Sequence, residues 1–143
     1  MIAALLLTAV LAQTPADDCR AAKDNANSAI GAADADKTLA ANARSDYLFA
    51  RGDKPRVPND GADSAQSDWG SADQFLQSAE RRFQDGLGQE SFAAIMSLVN
   101  QAVGFGYYAM ASESFFHSQR DAYGACNLFR SARSKYIQAK GWY

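Results

Sequence analysis

A seam of small apolar residues constrains this chain more than any other feature of its sequence. Alternating steps of three and four residues meet an apolar side chain at nine of ten positions: Cys19, Ala22, Ala26, Ala29, Ala33, Asp36, Ala40, Ala43, Tyr47 and Ala50. This spacing places the side chains on one face of an α-helix and is typical of helices that pack together. Because most of the positions are alanine, we expect a partner helix to approach closely.

A long exposed loop and a second helix are predicted after this seam. Residues 52–70 are rich in proline, glycine and aspartate, which indicates a loop. Ser71 then has the features of a helix start, and Gly86 with Gly88 marks a helix end. The apolar face of this second helix consists of Ala72, Phe75, Leu76, Ala79 and Phe83.

Two more helices complete an all-α four-helix bundle, predicted as one domain at residues 13–143. The third helix covers about residues 89–116, and Ser118 marks the start of the fourth. The fourth carries an apolar stripe of Ala122, Ala125, Cys126, Phe129, Ala132 and Tyr136.

Residues 91–112 contain no charged side chain. A membrane segment is one interpretation, but several serine, asparagine, glutamine and glycine residues argue against burial in hydrocarbon. We therefore expect a central helix surrounded by its neighbours. Its inward set is Phe92, Ile95, Met96, Val99, Ala102, Val103, Gly106 and Met110.

Residues 1–12 are apolar apart from Thr8, and they predict the location of the protein. A bilayer span needs about 20 residues, whereas a shorter run matches the core of a secretory signal peptide. Small residues before Gln13 suit cleavage there, so an extracytoplasmic protein is predicted, periplasmic if bacterial and otherwise secreted. No lysine or arginine precedes the run, which leaves an uncleaved anchor or a wrongly chosen start as alternatives.

Cys19 and Cys126 are the only cysteines, and an isolated pair in an exported protein usually forms a disulfide. Two separate buried thiols are the alternative. A disulfide conflicts with a simple up-down-up-down bundle, because it joins the starts of the first and fourth helices. Either residues 52–70 cross the bundle, making the first two helices parallel, or the first helix kinks or breaks near Gly31. The crossover is preferred.

The sequence offers little catalytic chemistry. His117 is the only histidine, and Glu113 and Asp121 lie four residues on either side of it. On one helix face Glu113 and His117 could share a proton or a metal, whereas a turn at Ser118 would separate Asp121 from them. A surface histidine near a helix end is the simpler interpretation. No catalytic residue, metal site or cofactor is predicted, and a net charge of −2 disfavours nucleic acid as a partner.

The leading functional hypothesis is therefore a non-enzymatic binding, accessory or structural module with a protein or cell-envelope partner. Trp142 and Tyr143 form the candidate interaction surface, because tryptophan and tyrosine recur at interface hot spots. One alternative is a small enzyme or metal protein centred on Glu113 and His117. A second is a membrane-associated protein that uses residues 91–112, although integral insertion of the mature chain is not expected.

Overall fold

Three long helices make up the described part of the chain. The structure is a computed structural model, and it describes residues 14–52 and 60–141. The helices are α1 (Pro15–Arg51), α2 (Asp60–Ser97) and α3 (Gln101–Gly141). The all-α prediction is confirmed for these residues, whereas the four-helix bundle is wrong because three helices form instead of four.

Several predicted segments fall wholly or partly outside the described residues. The predicted signal peptide at residues 1–12 lies outside them, as do Trp142 and Tyr143. The loop predicted at residues 52–70 is wrong for residues 60–70, because α2 begins at Asp60. Residues 60–70 are therefore helical, and residues 53–59 lie outside the described part.

Local sequence signals fix both ends of α1. The Thr14 hydroxyl accepts a hydrogen bond from the backbone N–H of Asp17 at 3.2 Å, and Pro15 occupies the first helical position. At the other end Gly52 adopts a φ of 66°, a conformation that favours glycine. α1 continues without interruption past Gly31, so the alternative of a break there is wrong.

Two of the predicted apolar patterns are confirmed as buried faces. Seven of the ten seam positions in α1 are buried, namely Cys19, Ala22, Ala26, Ala33, Ala40, Ala43 and Tyr47. All six residues of the predicted last stripe are also buried, now within α3. The spacing therefore predicted these two faces although it did not predict the number of helices.

Gly86 and Ser118 explain why the predicted helix boundaries are wrong. Gly86 lies inside α2 and does not end the helix. Its lack of a side chain makes room for the ring of Phe115. Ser118 lies inside α3, fully buried, and its hydroxyl donates to the carbonyl of Ala79 at 2.6 Å. Both residues serve the contact between α2 and α3.

The helices run up, down and up. Tyr47 near the end of α1 shares a buried cluster with Ala62 near the start of α2 and Tyr136 near the end of α3. At the opposite end, Cys19 shares a cluster with Tyr108, near the start of α3. α2 is therefore antiparallel to the other two, and the predicted crossover with parallel first and second helices is wrong.

Ion pairs supplement the smaller contact between α1 and α2. Lys37 pairs with Glu80, and the guanidinium of Arg44 donates to Asp73 at 3.1 Å. Hydrogen bonds from Lys37, and then from Gln84, lower the pKa of Glu80. α3 packs extensively against both other helices, so the ion pairs strengthen the weakest of the three interfaces.

The predicted disulfide between Cys19 and Cys126 is wrong. Both cysteines are buried and free. Cys19 packs in the cluster of Tyr108, and Cys126 lies about 18 residues beyond Tyr108 along α3, or about 27 Å of helix. Disulfide formation requires Cα atoms within about 7 Å. The Cys126 thiol instead lies 3.9 Å from the carbonyl oxygen of Leu39.

Replacing Gly86 and Gly88 separately with alanine should change stability in opposite directions. A Cβ at Gly86 would lie 2.6 Å from the fully buried Phe115 ring, whereas a Cβ at Gly88 would meet nothing within 4 Å. We expect Gly86→Ala to lower the free energy of unfolding by about 1–3 kcal/mol through overpacking. Gly88→Ala should raise it by up to about 1 kcal/mol. Urea unfolding followed by circular dichroism measures both, and equal stabilisation would contradict the packing described.

The thiol state provides a second prediction. The denatured, unreduced chain should take up two alkyl groups from iodoacetamide, because Cys19 and Cys126 are too far apart to bridge. Prior reduction should leave the intact mass of the alkylated product unchanged. A chain that takes up alkyl groups only after reduction would contradict the arrangement of the helices.

Candidate functional site

A tight turn at residues 98–100 joins α2 to α3 and is fixed by its own hydrogen bonds. The side-chain oxygen of Asn100 accepts from the backbone N–H groups of Ala102 and Val103, at 3.0 and 3.3 Å. Asparagine is favoured at this position because it satisfies donors that have no partner within the helix. The backbone N–H of Asn100 donates to the carbonyl of Met96 at 2.8 Å. The turn is therefore an ordered structural element.

Gly104 brings the two helices of this hairpin into direct backbone contact. A Cβ at Gly104 would lie 2.6 Å from the Cβ and 2.8 Å from the Cα of Ser97. A main-chain atom cannot move aside as the end of a long side chain can. The close approach of Ser97 therefore requires glycine at position 104. It also leaves little space between the two helices beside the turn.

Large apolar side chains surround this turn and remain exposed. Leu98 and Val99 are 87% and 81% exposed, and Ile95 is 61% exposed. Phe92 and Phe105 are each more than two fifths exposed. We call these five residues the apolar tip. Three strongly exposed aliphatic residues within five positions form a concentrated apolar surface, unlike the single exposed hydrophobic residues that are normal on proteins.

The apolar tip replaces the central helix predicted for this segment. None of the eight residues predicted to point inward is buried, because the chain reverses at Asn100 instead of continuing as one helix. The prediction also omitted Leu98 and Phe105. The polar pair Asn100-Gln101, in the middle of the apolar segment, is the sequence signal that marks the reversal.

No helix within residues 14–52 and 60–141 combines the length and the hydropathy needed to cross a membrane.

The first turns of α1 lie beside the apolar tip. Cys19, Arg20 and Lys23 line a shallow groove together with Leu98 and Tyr108. Burial raises the pKa of the Tyr108 phenol, and the nearby Cys19 adds to that increase. The start of α1 therefore lies at the same end of the bundle as the tip.

The structure places Glu113, but not Asp121, beside His117. His117 Nε2 lies 3.6 Å from Glu113 Oε1, one turn apart on the surface of α3. Asp121 instead faces α2, where it accepts hydrogen bonds from Ser78 at 2.7 Å and pairs with Arg82 at 3.3 Å. Among the described residues, no group of three or more histidine, cysteine, aspartate or glutamate side chains is placed to hold a metal ion.

A second open surface lies along α1 and α3. Asp36 from α1 lines it with Phe116, Arg120 and Tyr123 from α3. Phe116 and Tyr123 are both more than half exposed. Its lining mixes charged and aromatic groups, whereas the apolar tip carries no charge.

Comparison with protein-family models, with curated proteins and with solved structures finds no match for this chain. Geometry and exposure alone therefore identify the candidate site. On those grounds the apolar tip is the strongest candidate, because it combines an ordered backbone with a high density of exposed apolar side chains.

Gly104→Ala should disrupt the tip, and Gly106→Ala provides a matched control. The substitution at Gly104 forces Ser97 away, whereas a Cβ at Gly106 meets nothing within 4 Å. We expect Gly104→Ala to lower the free energy of unfolding by about 1–3 kcal/mol, and Gly106→Ala to raise it by up to about 1 kcal/mol. Urea unfolding measures both changes. Stabilisation by both variants would show that the helices do not touch at Ser97.

Proposed function

We propose that this protein is an exported, non-enzymatic binding module that contacts its partner through the apolar tip. The exposure of Leu98 and Val99 on a hydrogen-bonded turn is the observation that carries the proposal. Exposed apolar surface of this kind marks interaction sites in folded proteins. The ordered turn also lowers the entropy lost on binding, because its backbone is already fixed.

The proposed contact surface differs from the one predicted from sequence. Trp142 and Tyr143 lie outside the described residues, so the structure adds no support for them. The apolar tip is supported by the exposure of its side chains and by hydrogen bonds that hold the turn in place. We therefore move the proposed contact from the end of the chain to the hairpin turn.

Export remains part of the proposal on narrower grounds. The free thiols of Cys19 and Cys126 remove the disulfide as an argument for an oxidising compartment. The apolar sequence of residues 1–12 is the remaining support, since it matches the core of a secretory signal.

The pairing of Glu113 with His117 supports a second candidate function, in proton transfer or metal binding. The two groups are within 3.6 Å, but Glu113 is largely exposed to solvent, and Asp121 faces α2 instead of His117. Catalysis by such a pair usually requires a site that excludes water and orients both groups. The binding module is the better supported proposal.

Photocrosslinking in the producing cell tests the proposal. A photoreactive amino acid at Leu98 should give discrete adducts, because this side chain contacts the partner. The matched control is Phe49, which is 89% exposed near the opposite end of the bundle. Adducts of equal yield and mass at both positions, or none at Leu98, would contradict the proposed contact surface.

A further inference from the structure

We propose that the cleft between α1 and α3 binds a small zwitterion with an apolar body, such as a free amino acid with an aromatic or aliphatic side chain. Asp36 forms the α1 wall of this cleft, and Phe116, Arg120 and Tyr123 line it from α3. Its volume of about 350 Å³ lies at the lower end of the range of about 300–1,000 Å³ that small-molecule sites have. The cleft is separate from the apolar tip, so this proposal is independent of the partner that the tip contacts.

Asp36 is the only charged residue among the ten seam positions of α1. Seven of the other nine positions are buried, whereas Asp36 is half-buried beside α3. Within residues 14–52 and 60–141, its carboxylate has no hydrogen-bond or ion-pair partner. Partial burial of an unpaired carboxylate lowers stability. Packing therefore does not explain an aspartate at this position, whereas a ligand that carries a positive charge does.

Arg120 supplies the opposite charge on the facing wall of the cleft. Its guanidinium also has no ion-pair partner in the described part of the chain. In the neighbouring groove between α1 and α2, Lys37 and Glu80 do pair across the helices. Asp36 and Arg120 line one cleft from opposite helices but lie too far apart to pair with each other. A ligand with an ammonium and a carboxylate completes both interactions, and the planar guanidinium suits a carboxylate.

Two exposed aromatic rings give the cleft its apolar part. Phe116 lies one helical turn before Arg120 and Tyr123 one turn after it, so the rings flank the arginine along α3. Phe116 is 54% exposed and Tyr123 is 65% exposed, which leaves ring surface free for a ligand. Gly124 also lines the cleft, and a Cβ there would meet nothing within 4 Å. The apolar body of a ligand can therefore lie against the rings in the space beside Gly124.

The two unpaired charges favour a zwitterion over other small ligands. A simple carboxylate would pair with Arg120 but would place a second negative charge near Asp36. A simple amine would pair with Asp36 but would place a second positive charge near Arg120. An uncharged ligand would cover both charged groups without providing a partner, which is unfavourable. A ligand with both charges and an apolar body fits all three features of the cleft.

Binding of L-phenylalanine to the full-length chain, followed by heteronuclear NMR, tests the proposal. The backbone amide signals of Asp36 and Gly124 report on the cleft, because both residues line it. We expect these signals to shift with a Kd of about 1 mM or tighter, while the amide signals of the apolar tip stay unchanged. N-acetyl-L-phenylalanine lacks the ammonium and L-phenylalaninamide lacks the carboxylate. Each should therefore bind about tenfold more weakly or worse.

Substitutions that remove one charge test each wall of the cleft. Asp36→Asn and Arg120→Gln should each weaken binding of L-phenylalanine by about tenfold or more. Asp24→Asn and Arg130→Gln are matched controls, because they remove exposed charges from the same two helices outside the cleft. Gly124→Leu keeps both charges but fills the cleft, so it should also abolish binding. Urea unfolding verifies that each variant remains folded.

Several outcomes would overturn the proposal. One is the absence of any shift in the cleft signals with L-phenylalanine at about 10 mM. Equal affinity for the two analogues that lack one charge and for L-phenylalanine is another, as is equal binding by Asp36→Asn and Asp24→Asn. Cleft signals that move with protein concentration in the absence of ligand would show that a second copy occupies the cleft. None of these outcomes bears on the apolar tip, which photocrosslinking at Leu98 tests.

Discussion

Close packing of small residues is the constraint on which the rest of the structure depends. Alanine occupies most of the buried positions of the bundle, so the helix backbones approach closely and leave little interior volume. Large rings enter this interior only where space is made for them, as Gly86 does for Phe115. At the turn, direct contact between Ser97 and Gly104 leaves no comparable space. The large apolar side chains of the hairpin end therefore remain exposed.

The periodicity of the sequence predicted which faces are buried better than it predicted where the helices end. The seam of α1 was predicted correctly because a spacing of three and four residues depends only on helix geometry. Glycine and serine have two uses, however, as helix terminators and as small residues at tight contacts. Gly86 and Ser118 have the second use, and recognising it requires knowing that Phe115 and Ala79 lie opposite them.

The topology and the tip were missed for related reasons. A disulfide between Cys19 and Cys126 required the first two helices to be parallel. In the observed up-down-up arrangement, however, the two cysteines lie far apart along the bundle. The absence of charge in residues 91–112 was attributed to burial, although an exposed binding surface has the same composition. Sequence can identify such a segment as apolar. Only the reversal at Asn100 decides that its side chains are exposed.

The length of the bundle separates the uncharged apolar tip from the opposite end of the molecule. α3 has 41 residues and therefore extends about 60 Å, from the uncharged turn to the end that contains Tyr136. Charges at the far end therefore have almost no effect on a partner at the apolar tip, because interactions between exposed charges are screened within about 10 Å. The bundle can be this long and narrow because its interior is mostly alanine. Each helix therefore buries one face with few large side chains. Close packing of small residues therefore both exposes the apolar tip and allows the long helices that place the opposite end far from it.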